Sequence, residues 1–446
     1  MIQKTAETVR FGDLGLSPIL LEILEQQNLT QPTPIQHQCI PAALEGKDIV
    51  GIAQTGTGKT LAFGLPMIQN LAQIDGQGLI LLPTRELALQ VDEVLQKIGR
   101  DIGLRTTVLI GGASAYQQLQ SLRRGPHIIV STPGRLIDHL EQKNLSLAKV
   151  KIVVLDEADR MLDIGFAPQI RQVLSSAPKE RQTMLFSATM PAEIAGIASH
   201  HMKMPLRIEV APAGTSAANV EQEIHIVTKE GKLALLDKML KETTGVTLVF
   251  SRTKFGAMKI SDNLRALGHK ATDMHSSLSL ARRRAALDGF KMGRYRILVA
   301  TDIASRGIDV KNIALVVNYD LPDNCEDYVH RIGRTGRAGS SGKAVSFATH
   351  AERSDIKQIE RLIKKTIPII TSSGQPLVAP KSNVEFTRDT RDTREARPKR
   401  FNSFGASRGG DRRTSGGGNR GGFAPRREEK SHSYRDFKRR DNTPVK

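Results

Sequence analysis

The sequence predicts an α/β protein of two tandem domains, each a parallel sheet covered by helices, followed by a disordered basic C-terminal tail. Three observations carry that expectation. Short apolar, β-rich runs alternate with helical patterns from the N-terminus to about residue 210. The alternation pauses at a small, polar segment, Pro212–Asn219, and then restarts. After about Pro380 the aliphatic residues thin out and Arg, Gly and Ser take over. A length of 446 residues suits two domains with an extension, since a domain takes roughly 100–200 residues.

In the first domain, residues 1–210, the strand candidates are Asp48–Ala53, Gly78–Leu82, Thr106–Ile110, His127–Ser131, Ile152–Leu155 and Thr183–Ser187. Residues 211–219 form the linker. In the second domain, residues 220–375, the candidates are Glu223–Val227, Val246–Ser251, Lys270–Met274, Arg296–Thr301, Ile313–Tyr319 and Lys343–Ala348. Runs with few polar interruptions mark strands buried on both faces, as in a parallel sheet between helix layers. Two such units joined by a short linker place a cleft between them, a common ligand site. Residues 376–446 are the tail, whose composition cannot bury enough apolar surface to offset chain entropy.

The formal net charge is +19, from 65 Lys and Arg against 46 Asp and Glu. Residues 381–446 hold 19 basic and 9 acidic side chains, so about half the excess is in the tail. A polyanionic partner follows, nucleic acid or an anionic surface. The two cysteines, Cys39 and Cys325, form no CxxC pair, which argues against a metal knot or a disulfide framework. No apolar run reaches the roughly 18 residues of a membrane span. The opening MIQKTAETVRFGDLG has no signal-peptide core, so the expected location is the cytoplasm.

Ala53-Gln54-Thr55-Gly56-Thr57-Gly58-Lys59-Thr60 follows a predicted strand and opens a predicted helix. Glycines there let backbone N–H groups curl around phosphates, and the helix N-terminus adds positive potential. Lys59 is expected to reach the β- and γ-phosphates, and the Thr60 hydroxyl to ligate Mg²⁺. Ile152–Leu155 then delivers Asp156 and Glu157 at the carboxyl end of a buried strand. Asp156 is the expected magnesium ligand and Glu157 the base that orients the attacking water. A carboxylate pair after a strand can also cap a helix. Together these motifs reach a magnesium-dependent ATP hydrolase and go no further, since kinases and transporter ATPases share them.

Asp156-Glu157-Ala158-Asp159 resembles the signature of the DEAD-box ATP-dependent RNA helicases, and further motifs follow in that family's order over roughly residues 9–370. Pro32-Thr33-Pro34-Ile35-Gln36 is similar to its Q motif, with Phe11 upstream. Pro83-Thr84-Arg85-Glu86-Leu87, Gly111-Gly112 and Thr132-Pro133-Gly134-Arg135 resemble its first-domain RNA contacts, and Ser187-Ala188-Thr189 its motif III. Val249–Thr253, Ala300–Asp309 and His330–Arg337 resemble motifs IV, V and VI. The FGDLGLSPILLEIL opening and the basic tail look closest to the bacterial RhlE-type subgroup.

The resemblance implies RecA-like domains around an ATP and RNA cleft, and roles for residues on both. Gln36 would read adenine, whose edge a carboxamide can both donate to and accept from. Arg334 and Arg337 would reach the γ-phosphate as arginine fingers, with RNA-backbone contact as the alternative. Gly307 and Asp309 would meet the nucleotide from the second domain. Ser187, Thr189, Asp159 and His330 would couple hydrolysis to RNA. Pro83, Thr84, Arg85, Gly111, Gly112, Thr132, Pro133, Gly134, Arg135, Arg252, Arg283 and Thr301 would hold RNA. Small and basic residues position a backbone without reading bases, so weak sequence specificity is expected.

Three stretches depart from the family, one of them Ser276-Ser277 where it has Gly-Asp after the preceding His. Asn28-Leu29 stands where it has Gly-aromatic, and Leu280-Ala281-Arg282-Arg283 replaces its QxxR. Leu29 would cover adenine with apolar surface without stacking. The tail interleaves Phe401, Phe404, Phe423, Tyr434 and Phe437 with arginines, a pattern for sequence-tolerant RNA tethering or for a solubilising extension. The expected activity is RNA-stimulated ATP hydrolysis by a monomer that separates short RNA duplexes or remodels ribonucleoprotein, in ribosome assembly or RNA decay. An ATP-gated RNA clamp with little strand separation shares the same motifs.

Overall fold

The computed structural model describes residues 9–54, 56–210, 220–305, 310, 313–336 and 342–371. The expected linker at 211–219 and the tail at 376–446 lie outside them.

The first half begins with helices α1 (Pro18–Gln26) and α2 (Pro34–Leu44). Its strands are β1 (Ile49–Ile52), β2 (Gln77–Leu81), β3 (Thr106–Leu109), β4 (Ile128–Ser131), β5 (Val150–Leu155), β6 (Gln182–Ser187) and β7 (Leu206–Glu209). Between them run α3 (Lys59–Gln73), α4 (Arg85–Gly99), α5 (Ala115–Arg123), α6 (Pro133–Glu141), α7 (Ala158–Asp163), α8 (Ala167–Ser176) and α9 (Ala192–His201). In the second half the strands are β8 (Val220–Ile226), β9 (Val246–Phe250), β10 (Ala271–Met274), β11 (Ile297–Ala300), β12 (Ile313–Asn318), β13 (Gly342–Ala348) and β14 (Ile369–Thr371). Its helices are α10 (Lys232–Glu242), α11 (Lys254–Ala266), α12 (Leu280–Lys291), α13 (Asp302–Ser305), α14 (Cys325–Ile332) and α15 (Arg353–Ile363).

Both sheets are seven-stranded, ordered β3-β4-β2-β5-β6-β1-β7 and β10-β11-β9-β12-β13-β8-β14. Adding seven to each strand of the first gives the second, so one topology is used twice. Neighbouring strands pair in parallel throughout, as the apolar runs predict. Successive strand residues feed opposite faces. Ile80, Val130, Val154 and Phe186 join one core, while Leu79, Ile129, Val153 and Leu185 join the other. The second sheet divides Leu248, Leu298 and Val316 from Val249, Ile297 and Val317 in the same way.

The sequence reading missed β7 and β14. These are edge strands of four and three residues; β7 buries only Ile208, and β14 offers only Ile369-Ile370 after Pro368, so neither has an apolar run long enough to announce it. Both cysteines are free thiols. Among the described residues no helix is long and apolar enough to cross a membrane.

Candidate active site and nucleic-acid interface

The strand order sorts the motifs. Strands β5, β6 and β1 are neighbours. Their carboxyl ends deliver the acidic pair, Ser187 and the phosphate loop side by side. Strands β3, β4 and β2 are the neighbours on the other flank. They deliver Gly111-Gly112, Thr132 and Pro83-Thr84-Arg85. Each flank is thus one continuous ridge of loops, where open α/β sheets bind ligands.

In the phosphate loop, Gly56 and Gly58 have φ of +87° and +93°. This left-handed backbone suits glycine. A Cβ on Gly58 would also lie 2.4 Å from Nε2 of Gln36. Ala53 donates its N–H to the Ser187 carbonyl at 2.9 Å, joining loop and motif III. The Thr57 hydroxyl donates to the Gln54 carbonyl at 2.7 Å. Lys59 is buried; its Nζ donates to the Ala53 carbonyl at 3.0 Å and lies 3.8 Å from Oδ1 of Asp156. Thr60 is the second residue of α3. Thr55 lies outside the described residues.

Gln36 is buried in α2. Its Oε1 accepts the Thr33 N–H at 2.9 Å, and its Nε2 donates to the Gly58 carbonyl at 3.0 Å. One amide hydrogen and one lone pair stay available to a base edge. Phe11 and Leu29 line one cavity of about 500 Å³ with Arg10, Thr30 and Gln31. Asn28, where the family has glycine, sits at φ +58°. Asparagine is among the side chains that best tolerate that conformation.

Asp156 and Glu157 are almost fully buried. Burial pushes the Asp156 carboxyl up to about 6, although Lys59 opposes the shift. Burial also pushes Glu157 upward, but Arg160, Lys59 and Arg334 outweigh it and hold this carboxyl below its ordinary range. Oε2 of Glu157 meets Nη1 of Arg160 at 2.7 Å. Its Oε1 is buried with no hydrogen-bond partner among the described residues. Glu157 has φ +51°, a conformation that costs a non-glycine residue about 1–3 kcal/mol. The fold thus holds a strained, half-satisfied carboxylate at the end of β5. Among the described residues no group of three or more His, Cys, Asp or Glu could hold a metal. A magnesium ion held largely through nucleotide phosphates needs no such group.

Oδ2 of Asp159 accepts the N–H groups of Ala188 and Thr189 at 3.0 and 2.9 Å and the Thr189 hydroxyl at 3.2 Å. The Ser187 hydroxyl accepts the Asp159 N–H at 3.3 Å. Burial raises the Asp159 pKa, but His330 of the second half leads the charges that lower it, and the net shift is downward. Arg334 is buried and acts on Glu157 in the same sense. Gly307, Asp309 and Arg337 lie outside the described residues.

Sequence reasoning overlooked Arg160 and Arg331. Arg331 is buried; its Nε and Nη2 meet the Asp302 carboxylate at 2.6 Å each, and Nη1 reaches Oδ1 of Asn318 and the Asp320 carbonyl. Its guanidinium also lies 5.0 Å from the Phe250 ring centroid. It ties the start of motif V to motif VI. The available signal was its place inside the His330–Arg337 run, between residues assigned to ligands.

On the other flank, Thr84 and Thr132 are buried N-caps of α4 and α6, with Pro83 and Pro133 buried beside them. The Arg85 guanidinium packs on Gly111 and Gly112: a Cβ there would lie 3.1 and 2.5 Å from its nitrogens. Arg135 donates to Oε1 of Gln118 at 3.2 Å and pairs with Asp138. Gly134 is half-buried at the start of α6, and Thr301 is buried after β11. Two arginines expected to meet RNA are engaged by protein carboxylates. Arg252 pairs with Asp323 and Glu352 and stays partly exposed. Arg283 is buried, 3.1 Å from Oε1 of Glu86 in the first half. Arg282 and Arg284 are exposed.

Comparison with known proteins agrees with this arrangement. Residues 33–197 match the DEAD/DEAH box helicase family and residues 231–339 the helicase conserved C-terminal domain. The chain is 44% identical over 358 residues to the DEAD-box ATP-dependent RNA helicase CshA of Bacillus anthracis, covering 80% of this chain and 68% of that one. It is 41% identical over 362 residues to the ATP-dependent rRNA helicase RRP3 of Debaryomyces hansenii, covering 80% and 76%. The structure resembles S. cerevisiae Dbp5 bound to RNA and ADP BeF3, with a TM-score of 0.73 and 31% identity over 81% of this chain and 95% of that one. Two RecA-like sheets, with a phosphate loop and acidic motif in the first and an arginine of the second acting on that motif, place the chain in the DEAD-box family of ATP-dependent RNA helicases.

Proposed function

We propose that the two halves share one reaction, in which ATP hydrolysis is coupled to local separation of short RNA duplexes or remodelling of ribonucleoprotein, with little sequence preference. One observation carries this reading: the two halves meet, with Arg283 of the second 3.1 Å from Oε1 of Glu86 in the first, and the same approach brings the charges of Arg334 and His330 to bear on Glu157 and Asp159. Hydrolysis then depends on the approach of the two halves, and RNA held by both favours that approach. The site draws Arg334 from the same chain, which supports a monomer.

Asp156, just past β5, and Thr60, in the first turn of α3, fit a magnesium ion as hard oxygen donors, and the adjoining Glu157 keeps a buried Oε1 with no partner among the described residues. The bound ion would offset charge on the β- and γ-phosphates. Lys59 moves from the Ala53 carbonyl to the phosphates. Glu157, fixed through Oε2 by Arg160, turns its other oxygen to the attacking water and takes its proton. Arg334, with Arg337, offsets charge on the leaving phosphates. Gln36 selects adenine while holding the loop through Gly58. Asp159, Ser187 and Thr189 pass the change at Glu157 to the sheet end.

Domain limits of 1–210 and 220–375, cytoplasmic location and RhlE-type membership belong to the same reading. The paired sheets, the free thiols and the basic tail support them in turn. The tail adds sequence-tolerant RNA tethering; unchanged RNA affinity after deletion of residues 381–446 would remove that part.

The test is ATPase activity with and without single-stranded RNA, alongside Glu157→Gln. Strong stimulation that the variant abolishes is expected. Turnover indifferent to RNA, or DNA serving equally well, would sink the coupling.

A further inference from the structure

The residue that replaces the family's glutamine in the second half makes an apolar contact with the first. Helix α12 starts at Leu280, fixed there by Ser279, whose hydroxyl accepts the Arg282 N–H at 3.3 Å. Leu280 is half-buried and packs against the first-half core to which α4 gives Leu87, Ala88, Val91 and Leu95. One turn on, Arg283 meets Glu86 of α4 with both side chains more than nine-tenths buried. The i, i+3 spacing puts both contacts on one face of α12. Leu280 and Leu89 also wall a cleft of about 250 Å³ between α4 and α12.

The two contacts differ physically. A buried ion pair pays heavily in desolvation and supplies direction more than net attraction. An apolar contact supplies net attraction and little direction. Glutamine at position 280 would bring an amide to this junction that needs hydrogen-bond partners of its own. Beside the junction, Arg85 of α4 packs on Gly111 and Gly112 of the RNA-side ridge.

We propose that Leu280 is a positioning residue for the coupled reaction: by docking α12 on α4 it lengthens the time for which RNA is held when nucleotide draws the two halves together. The proposal rests on the reading of the cleft as an ATP- and RNA-dependent junction. It tilts this chain toward sustained clamping and away from rapid release.

The experiment follows dissociation of a fluorescent single-stranded RNA from the full chain with ADP–beryllium fluoride and without nucleotide. The variants are Leu280→Gln and Leu280→Met. Half-burial of one leucine corresponds to RNA leaving Leu280→Gln about three- to tenfold faster with nucleotide. Leu280→Met keeps the apolar volume and is expected to hold RNA as wild type does. Affinity without nucleotide is expected to stay the same. The RNA concentration for half-maximal ATPase rises with the dissociation rate, and kcat at saturating RNA does not fall. Wild-type dissociation from Leu280→Gln overturns the proposal, as does an equal loss with and without nucleotide, or a fall in kcat at unchanged RNA requirement. A wild-type chain whose RNA lifetime ignores nucleotide refutes the underlying reading instead.

Discussion

Gly112 and Gly134 both belong to the RNA-side set, yet the structure gives them opposite reasons to be glycine. Gly112 has φ +77°, and a Cβ there would lie 2.5 Å from Nη1 of Arg85. In Gly112→Ala the left-handed conformation costs roughly 1–2 kcal/mol. The guanidinium must also leave the ridge, which weakens RNA binding. Gly134 has no positive φ, and a Cβ there meets nothing within 4 Å. It is the second residue of α6, so Gly134→Ala should stabilise the first half by up to about 0.5–1 kcal/mol. The new methyl group would nonetheless stand where an RNA backbone approaches, so RNA affinity should fall while stability rises. Urea denaturation gives the first quantity, and titration of single-stranded RNA with a non-hydrolysable ATP analogue the second. Gly134→Ala that binds RNA like wild type would refute the assignment of that glycine to backbone approach. Gly112→Ala that loses no stability would refute the strain argument, and Gly112→Ala that binds RNA like wild type would refute the packing argument for Arg85.

Three further outcomes are expected. Asp48 accepts the N–H groups of Thr183 and Lys203 at 2.6 Å each; Asp48→Ala leaves two donors unpaired beside β1, at about 1–3 kcal/mol for each one that stays dry, read by urea denaturation, and a loss below 0.5 kcal/mol by the scale of surface substitutions would contradict it. Asp92 is buried with Oδ1 unpartnered among the described residues, and burial raises its pKa. The folded state therefore binds its proton more tightly than the unfolded state, so this group's contribution to stability falls as pH rises through the window between the two pKa values. Asp92→Asn should be more stable than wild type above that window, with the difference vanishing in acid; an advantage that persists in acid would point to another cause. Leu29→Phe adds a ring to the cavity shared with Phe11 and should tighten ATP binding; equal affinity would show that Leu29 does not cover the base.

Much of the site was legible because its chemistry is local in sequence. The phosphate loop, the acidic pair and the threonine N-caps each combine a strand end with a helix start, and short-range spacing records both. What sequence could not give was the far partner. Nothing near Arg283 announces Glu86, because that pair is set by how the two halves pack, and nothing near Arg331 announces Asp302, because that pair is set by which loops the second sheet brings together. Arginines that the family resemblance assigns to RNA prove to face carboxylates at Arg252 and Arg283. The edge strands β7 and β14 escaped for the complementary reason. A strand with one neighbour and a solvated face needs no more than a short apolar run.

The repeated topology explains how one scaffold divides the work. Thr84 stands three residues past the end of β2 and Thr253 three past β9, and each accepts the N–H three residues on, from Leu87 and Gly256. Ser114 and Ser279 each stand five residues past β3 and β10 and cap α5 and α12 alike. The loops are therefore superimposable in sequence, and their differences carry the specialisation. Four residues past its cap, α5 places Gln118, which turns inward to the Ile110 carbonyl and to Arg135 of its own half. The equivalent position of α12 is Arg283, which crosses to Glu86. Three residues earlier, Ala115 is exposed where Leu280 packs on the other half's core. One ridge thus organises itself and its copy reaches across. A swap of Arg283 and Leu280 for their first-half counterparts, Gln and Ala, should uncouple RNA retention from nucleotide while both sheets remain folded. Persistence of nucleotide-dependent retention in that double variant would mean that the halves are held together by the phosphate side alone.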